Sequence, residues 1–220
     1  YQHSKEVYDA GGRPAFKGLL EIMSAEATIV TAIHNIKSNR GSETPGVDSK
    51  TMRKDYLQRS HSWVIRDIQS AFKHYEPQQI RRKYIDKPGK AEKRPLGIPT
   101  IRDRIVQECL RIVLEPLVEA KFFPNSYGFR PGKSAQKAVL KAVEYMNEGY
   151  NWVVDIDLEK FFDTVEHDKL ISVLNKEIKD GKILSLIRKF LVSGVMVGEQ
   201  MEETEIGTPN DAPTAQNHAD

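Results

Sequence analysis

At 220 residues, with 39% hydrophobic and 29% charged side chains, the chain can hold one large domain or two small ones and has the composition of an ordinary globular protein. Its single cysteine excludes an internal disulfide framework, and no run approaches the roughly 20 apolar residues of a membrane helix. The net charge of +2 hides an uneven spread: ten Lys and Arg stand against four acids from Lys73 to Arg104, while Val195 to Asp220 holds six acids and no Lys or Arg. A basic centre of this kind suits a protein that meets a polyanion with one face, although composition alone favours an ordinary solvated surface. No signal peptide opens the chain, so a cytoplasmic or nucleoid-associated protein is expected. The missing initiator methionine fits a start inside a longer protein or after a cleaved tag.

In chain order, the apolar spacing from Gly18 to Lys37 predicts a helix pair, with Ser24 capping the second. NRGSETPGVD, from Asn39 to Asp48, predicts a loop. Ser49 to Lys54 and Ser60 to His74 read as helical. Ile80 to Asp86 and Arg94 to Ile98 read as strands around a Lys- and Gly-rich turn. Thr100 and Asp103 have the spacing of a capping box for a helix with Ile105, Cys109, Ile112 and Val113 on its apolar stripe, ended or kinked by Pro116. On that stripe Cys109 is expected to be a buried hydrophobe. SYGFRPGK, from Ser126 to Lys133, is a loop, and Ser134 caps a helix to about Asn147. WVVDIDL, from Trp152 to Leu158, has the strongest strand pattern in the chain. Asp163 and Glu166 are expected to cap the helix after it. A further helix, Ile183 to Leu191, leads into a Gly-punctuated hairpin.

The chemistry gathers in that apolar strand. Alternation puts Val153, Asp155 and Asp157 on one face. Two carboxylates in an apolar strand are costly to bury without partners. A divalent cation would offset the cost, and hard oxygen donors suit Mg2+. Two other readings stay open from the residues alone: solvated carboxylates on an exposed face, or an acid/base pair as in glycoside hydrolysis, for which no sugar cleft is evident.

Asp157 is followed by Leu-Glu-Lys-Phe-Phe-Asp, then Thr-Val-Glu-His-Asp-Lys-Leu. This resembles a conserved motif of the reverse transcriptases encoded by group II introns. Other blocks resemble that family in the expected order: NRGSETPGVDSKT, the run KRPLGIPTIRDRIVQECLRIVLEPLVEAKF, SYGFRPGKSAQKAV, and IGTP near the end. The resemblance spans about Leu19 to Pro209. It implies an α+β fold: the fingers and part of the palm of a right-hand polymerase, helices with a basic β-hairpin and an antiparallel palm sheet. It divides the chain into an N-terminal extension of the fingers (1–60), fingers (61–150), partial palm (151–209) and an altered or disordered end (210–220).

The resemblance also implies roles. Asp157 would be the catalytic aspartate binding both metals, with the Leu158 carbonyl beside the second. Phe162 would be the ring that excludes a ribose 2′-hydroxyl, with Phe161 in the core. Asp155 would be a supporting carboxylate and Asp163 a cap. Lys87 and Arg94 would grip the nucleotide triphosphate, with Arg81 as a third member; Asp86 stands where the family usually has proline. Arg130, among Tyr127 and Phe129, would meet the template, and Asn39, Arg40 and Ser42 would touch template phosphates or intron RNA. The implied partners are an RNA template and primer, deoxynucleoside triphosphates and group II intron RNA, without a membrane; a homodimer is left open. The implied activity is RNA-directed DNA polymerisation with Mg2+, combined with help in splicing. Two other readings are a non-catalytic RNA-binding maturase and a retron- or defence-type bacterial reverse transcriptase.

After Gly-Thr-Pro the family usually continues Gln-Gly-Gly-Pro-Leu-Ser-Pro, whereas this chain reads Asn210-Asp211-Ala212-Pro213-Thr214-Ala215-Gln216. Tyr-Ala-Asp-Asp, which supplies the family's remaining catalytic aspartates, does not occur in the chain. The stretch by itself is therefore expected not to polymerise DNA.

Overall fold

The computed structural model describes residues 2–12, 16–86, 89, 91, 93–198, 200–203 and 205–208, the Arg94 side chain excepted. Lys87 and residues 210–220 thus lie outside the described residues. Helices form at α1 (Gln2–Asp9), α2 (Leu19–Met23), α3 (Glu26–Lys37), α4 (His61–Lys73), α5 (Ile101–Glu119), α6 (Ala135–Asn147), α7 (His167–Leu174) and α8 (Gly181–Leu191). Strands β1 (Ile80–Asp86), β2 (Lys93–Ile98), β3 (Val195–Val197) and β4 (Gln200–Glu202) make one sheet in the order β2-β1-β3-β4. The fold is α+β, as expected.

α5 is the central helix. Ile101, Ile105, Val106 and Cys109 are wholly buried, a spacing that places them on one face. They pack with Ile29, Ala32 and Ile36 of α3 and with Val64, Ile65 and Ile68 of α4. Burying each large aliphatic chain stabilises the fold by about 1.5–3 kcal/mol. Thr100 caps α5 by accepting from the Asp103 amide at 3.2 Å. Pro116 does not end this helix, which runs three residues past it. Burial pushes the Cys109 thiol up to about 12, consistent with an inert core residue.

The basic hairpin forms as expected, with Ile85 opposite Arg94 and Asp86 opposite Lys93. β3 and β4 pair antiparallel, but β3 joins β1 in parallel, so the sheet is mixed. Asp180 ties two helix starts together. One carboxylate oxygen accepts from the Leu19 amide of α2 at 3.0 Å, and the other from Lys182 and Ile183 of α8 at 3.1 and 3.4 Å. Nearby, Phe16 bridges to Ile178.

Several local expectations fail for identifiable reasons. Ser24 does not cap α3; it ends α2, and its hydroxyl donates to the Glu21 carbonyl. Asp163 lies in a 3-10 turn (Phe161–Asp163) and caps no helix, while Glu166 precedes α7 but pairs with Lys169 at 2.7 Å. The residues from Trp152 to Leu158 form no strand. A strand exists only by pairing, and the apolar pattern of this segment reports the burial it would have beside a partner. Instead Trp152 is 96% exposed and Ile156 81%. α6 behaves alike: Ser134 caps it, accepting from Lys137 at 3.2 Å, yet none of its side chains is buried.

Candidate nucleotide and nucleic-acid site

The turn after Asp157 is set by Lys160, which adopts a left-handed φ of 49° and so folds Phe161–Asp163 into a 3-10 turn. The Lys160 carbonyl accepts from the Asp163 and Thr164 amides at 2.9 and 3.1 Å. Gly207 and Thr208 of the IGTP block lie directly against this turn. Thr208 donates its amide to the Phe162 carbonyl, and Gly207 to the Val165 carbonyl, each at 2.8 Å. The buried His167 ring meets the Gly207 carbonyl at 2.6 Å. Two blocks about forty positions apart (|i−j| = 40 for His167 and Gly207) are thereby brought together.

Above them opens a cleft of about 360 Å3 lined by Arg82, Asp163, Val195, Glu202, Glu203, Glu205, Ile206, Gly207 and Thr208. Among the described residues Arg82 is the one cation in that lining, where four carboxylates also stand. Side chains alternate along β1, so Arg81 and Arg82 face opposite ways. Arg81 points to the other side, where its guanidinium donates to the Pro45 carbonyl at 2.6 and 3.1 Å. Arg81 is thus an anchor of the 39–48 loop.

That loop is built rather than loose. Arg104 donates to the carbonyls of Pro99, Gly41 and Thr44 at 3.0, 2.8 and 2.7 Å. Burial, followed by the nearby Arg81 charge, lowers Arg104 to about 10. Asn39 precedes a 3-10 turn (Arg40–Glu43); Arg40 is exposed, Asn39 half-buried and Ser42 buried.

Arg130 sits in an enclosed position. Its side chain is only 7% exposed and makes a forked pair with Glu119 at 2.7–3.1 Å. It also donates to the Phe123 and Ser126 carbonyls at 2.6 and 2.8 Å. A guanidinium so enclosed fixes the SYGFRPG loop. The loop's exposed group is Phe129, 84% accessible with a left-handed φ of 53°. Lys133, not Arg130, lies over the Tyr127 ring, at 4.8 Å.

Phe161 and Phe162 stand edge-to-face at 5.3 Å, and both are half exposed, so Phe161 is not the core ring expected. Asp157 is exposed, and one of its oxygens accepts the amide of Leu158 at 2.9 Å. Arg94 faces Ile85 in the hairpin register. Asp157 and the Leu158 carbonyl offer hard oxygen donors of the type Mg2+ prefers. Among the described residues, however, no group of three or more His, Cys, Asp or Glu could hold a metal ion, so the donors here fill part of a site at most. No helix among them is long and apolar enough to cross a membrane.

Residues 85–210 match the family described as Reverse transcriptase (RNA-dependent DNA polymerase). The chain is 38% identical over 178 residues to the group II intron-encoded protein LtrA of Lactococcus lactis subsp. cremoris, covering 81% of this chain and 29% of that protein. It is 38% identical over 98 residues to the nuclear intron maturase 2, mitochondrial, of Arabidopsis thaliana, covering 44% and 13% respectively. Its structure is similar to a chain of a partial Cas6-RT-Cas1–Cas2 complex, with a TM-score of 0.55 and 25% identity over 90% of this chain and 32% of that one. The chain spans less than a third of the length of LtrA.

Proposed function

Because the chain belongs to the reverse transcriptase (RNA-dependent DNA polymerase) family, we propose that it forms the fingers and part of the palm of a group II intron-encoded enzyme that copies RNA into DNA and binds intron RNA to assist splicing. The observation that carries this reading is the docking of Gly207 and Thr208, which line a cleft with Arg82, on the backbone of Phe162 and Val165. On this reading the segment after Asp157, which carries Phe162, adjoins the cleft that Arg82 lines. A nucleotide needs three features: an anchor for its metal, a surface for its sugar and a cation for its phosphates.

In this reading Asp157 and the Leu158 carbonyl hold Mg2+, with further carboxylates supplied by the rest of the parent polypeptide. The ion would supply charge neutralisation at the phosphates and a more acidic primer hydroxyl. Phe162 excludes a ribose 2′-hydroxyl by bulk. Arg82 joins Lys87 and Arg94 as the phosphate-facing cations, and Arg81 acts indirectly by holding the 39–48 loop. The partners are an RNA template, its primer, deoxynucleoside triphosphates and the intron RNA. The stretch alone is inactive, because one catalytic carboxylate cannot support a two-metal reaction.

The test uses the parent polypeptide in a primer-extension assay on an RNA template. Asp157→Ala should abolish extension while leaving RNA binding within about twofold, since one carboxylate contributes little to polyanion affinity. Retained extension would remove Asp157 from the site. Phe162→Ala should raise ribonucleotide incorporation, and unchanged sugar discrimination would refute the steric role.

A further inference from the structure

From Lys50 to Arg66 the chain carries five Lys and Arg (50, 53, 54, 59, 66) against one acid, Asp55. The sequence folds this run as a π-helical turn (Arg53–Leu57) leading into α4. All five cations are exposed, as are His61 and Trp63. Among the described residues, Lys50, Arg53, Lys54 and Arg59 pair with no carboxylate. Unpaired cations this dense repel one another, which is the arrangement a bound polyanion relieves.

Between α3, the π-helical turn and α4 lies a second cleft, of about 200 Å3, lined by Ile33, Tyr56, Leu57, Arg59, His61, Val64 and Ile65. Its floor is apolar and its rim is cationic. The Arg59 guanidinium sits 5.4 Å from the centre of the Trp63 ring, which is 42% exposed beside it. Rigid cation–π stacking of this kind leaves a flat, amphipathic surface open to a further ring. An extended apolar ligand would leave the rim charges unanswered. A simple anion would leave the apolar floor wet. A planar heterocycle carried on a phosphate backbone satisfies both.

We propose that an unpaired base of single-stranded RNA is captured at the edge of this cleft, stacked against the Arg59–Trp63 pair, while Arg53 and Lys54 take the flanking phosphates; His61, 3.7 Å from Glu26, is left to that carboxylate. A base held inside a duplex is already stacked and cannot enter, so the site selects unpaired strands. The assignment of the polyanion as RNA rests on the functional reading above. The cleft itself uses none of the residues assigned to polymerisation.

The test is fluorescence anisotropy of a labelled single-stranded RNA titrated with the whole chain at near-physiological salt. Trp63→Ala and Arg59→Glu should each weaken binding about tenfold, while Trp63→Phe should retain most of it. Duplex RNA of equal length should bind more weakly and ignore Trp63→Ala. Photo-cross-linking with 5-bromouridine RNA, read by peptide mass spectrometry, should map to residues 57–65. Binding of properly folded Trp63→Ala within twofold of wild type, or cross-links mapping elsewhere, would overturn the proposal and leave the cleft to a polypeptide. Such a failure would leave the Asp157 primer-extension result untouched, so the two readings fall separately.

Discussion

A Cβ built on Gly207 would stand 2.8 Å from the carbonyl oxygen of Asp163, and the Gly207 backbone has a φ of +81°. Both the space and the conformation therefore demand glycine. Gly207→Ala should cost about 2–4 kcal/mol at this junction, from strained backbone and overpacking together. Hydrogen exchange checks it: the amides of Gly207 and Thr208, bonded to Val165 and Phe162, should lose protection before those of α5 do.

Asp103 is buried and accepts from the hydroxyl of Tyr75, the hydroxyl of Thr100 at 2.7 Å and the amide of Gln78 at 3.2 Å. Burial raises its pKa above the ordinary aspartate range, with those hydrogen bonds opposing the rise. A carboxyl raised in the folded state binds its proton more tightly there than in the unfolded chain. Its contribution is therefore complete at acid pH and fades as pH climbs from the ordinary aspartate range through the raised value. Asp103→Asn should flatten that part of the melting-temperature profile. Asp103→Ala, which strands three donors, should destabilise by about 2–4 kcal/mol in urea titrations.

Arg104 holds the 39–48 loop by three carbonyls, a geometry that a single ammonium cannot copy. Arg104→Lys should cost about 1–3 kcal/mol and speed proteolysis between residues 39 and 46. Gly46→Ala should do likewise, since its Cβ would fall 2.7 Å from the Thr100 backbone. Unchanged proteolysis in both would show the loop is held by something else.

Trp152, Val153, Val154, Ile156 and Leu158 are 64–96% exposed, and Val139, Leu140, Val143 and Met146 of α6 are 40–63% exposed. Apolar surface of this extent drives association. The isolated chain should therefore self-associate and bind a hydrophobic dye, and Val154→Lys with Ile156→Lys should lower both. Sedimentation and dye fluorescence give the readout; no change would place the driving surface elsewhere.

The features legible in the sequence were those decided locally. The capping of α5 by Thr100 and of α6 by Ser134, the basic hairpin and the burial of Cys109 all follow from residues within a few positions of one another. The strand reading of WVVDIDL failed because pairing is not local: the period stated which residues wanted burial, not whether a partner was at hand. Arg130 misled for a related reason. A guanidinium beside aromatic rings reads as a nucleic-acid contact until the position of Glu119 is known, and that position belongs to the end of α5. Arg81 and Arg82 differed only in which face of β1 they occupied, and nothing in the dipeptide announces that.

The tie at Asp180 has a consequence for how the chain is made. The amide of Leu19 finds its acceptor 161 positions downstream. At about 5–20 residues per second a ribosome needs roughly 8–32 s to bridge that gap. Until then the helices near Leu19 emerge without the carboxylate that secures them, and the tie closes only after the intervening segment has been made.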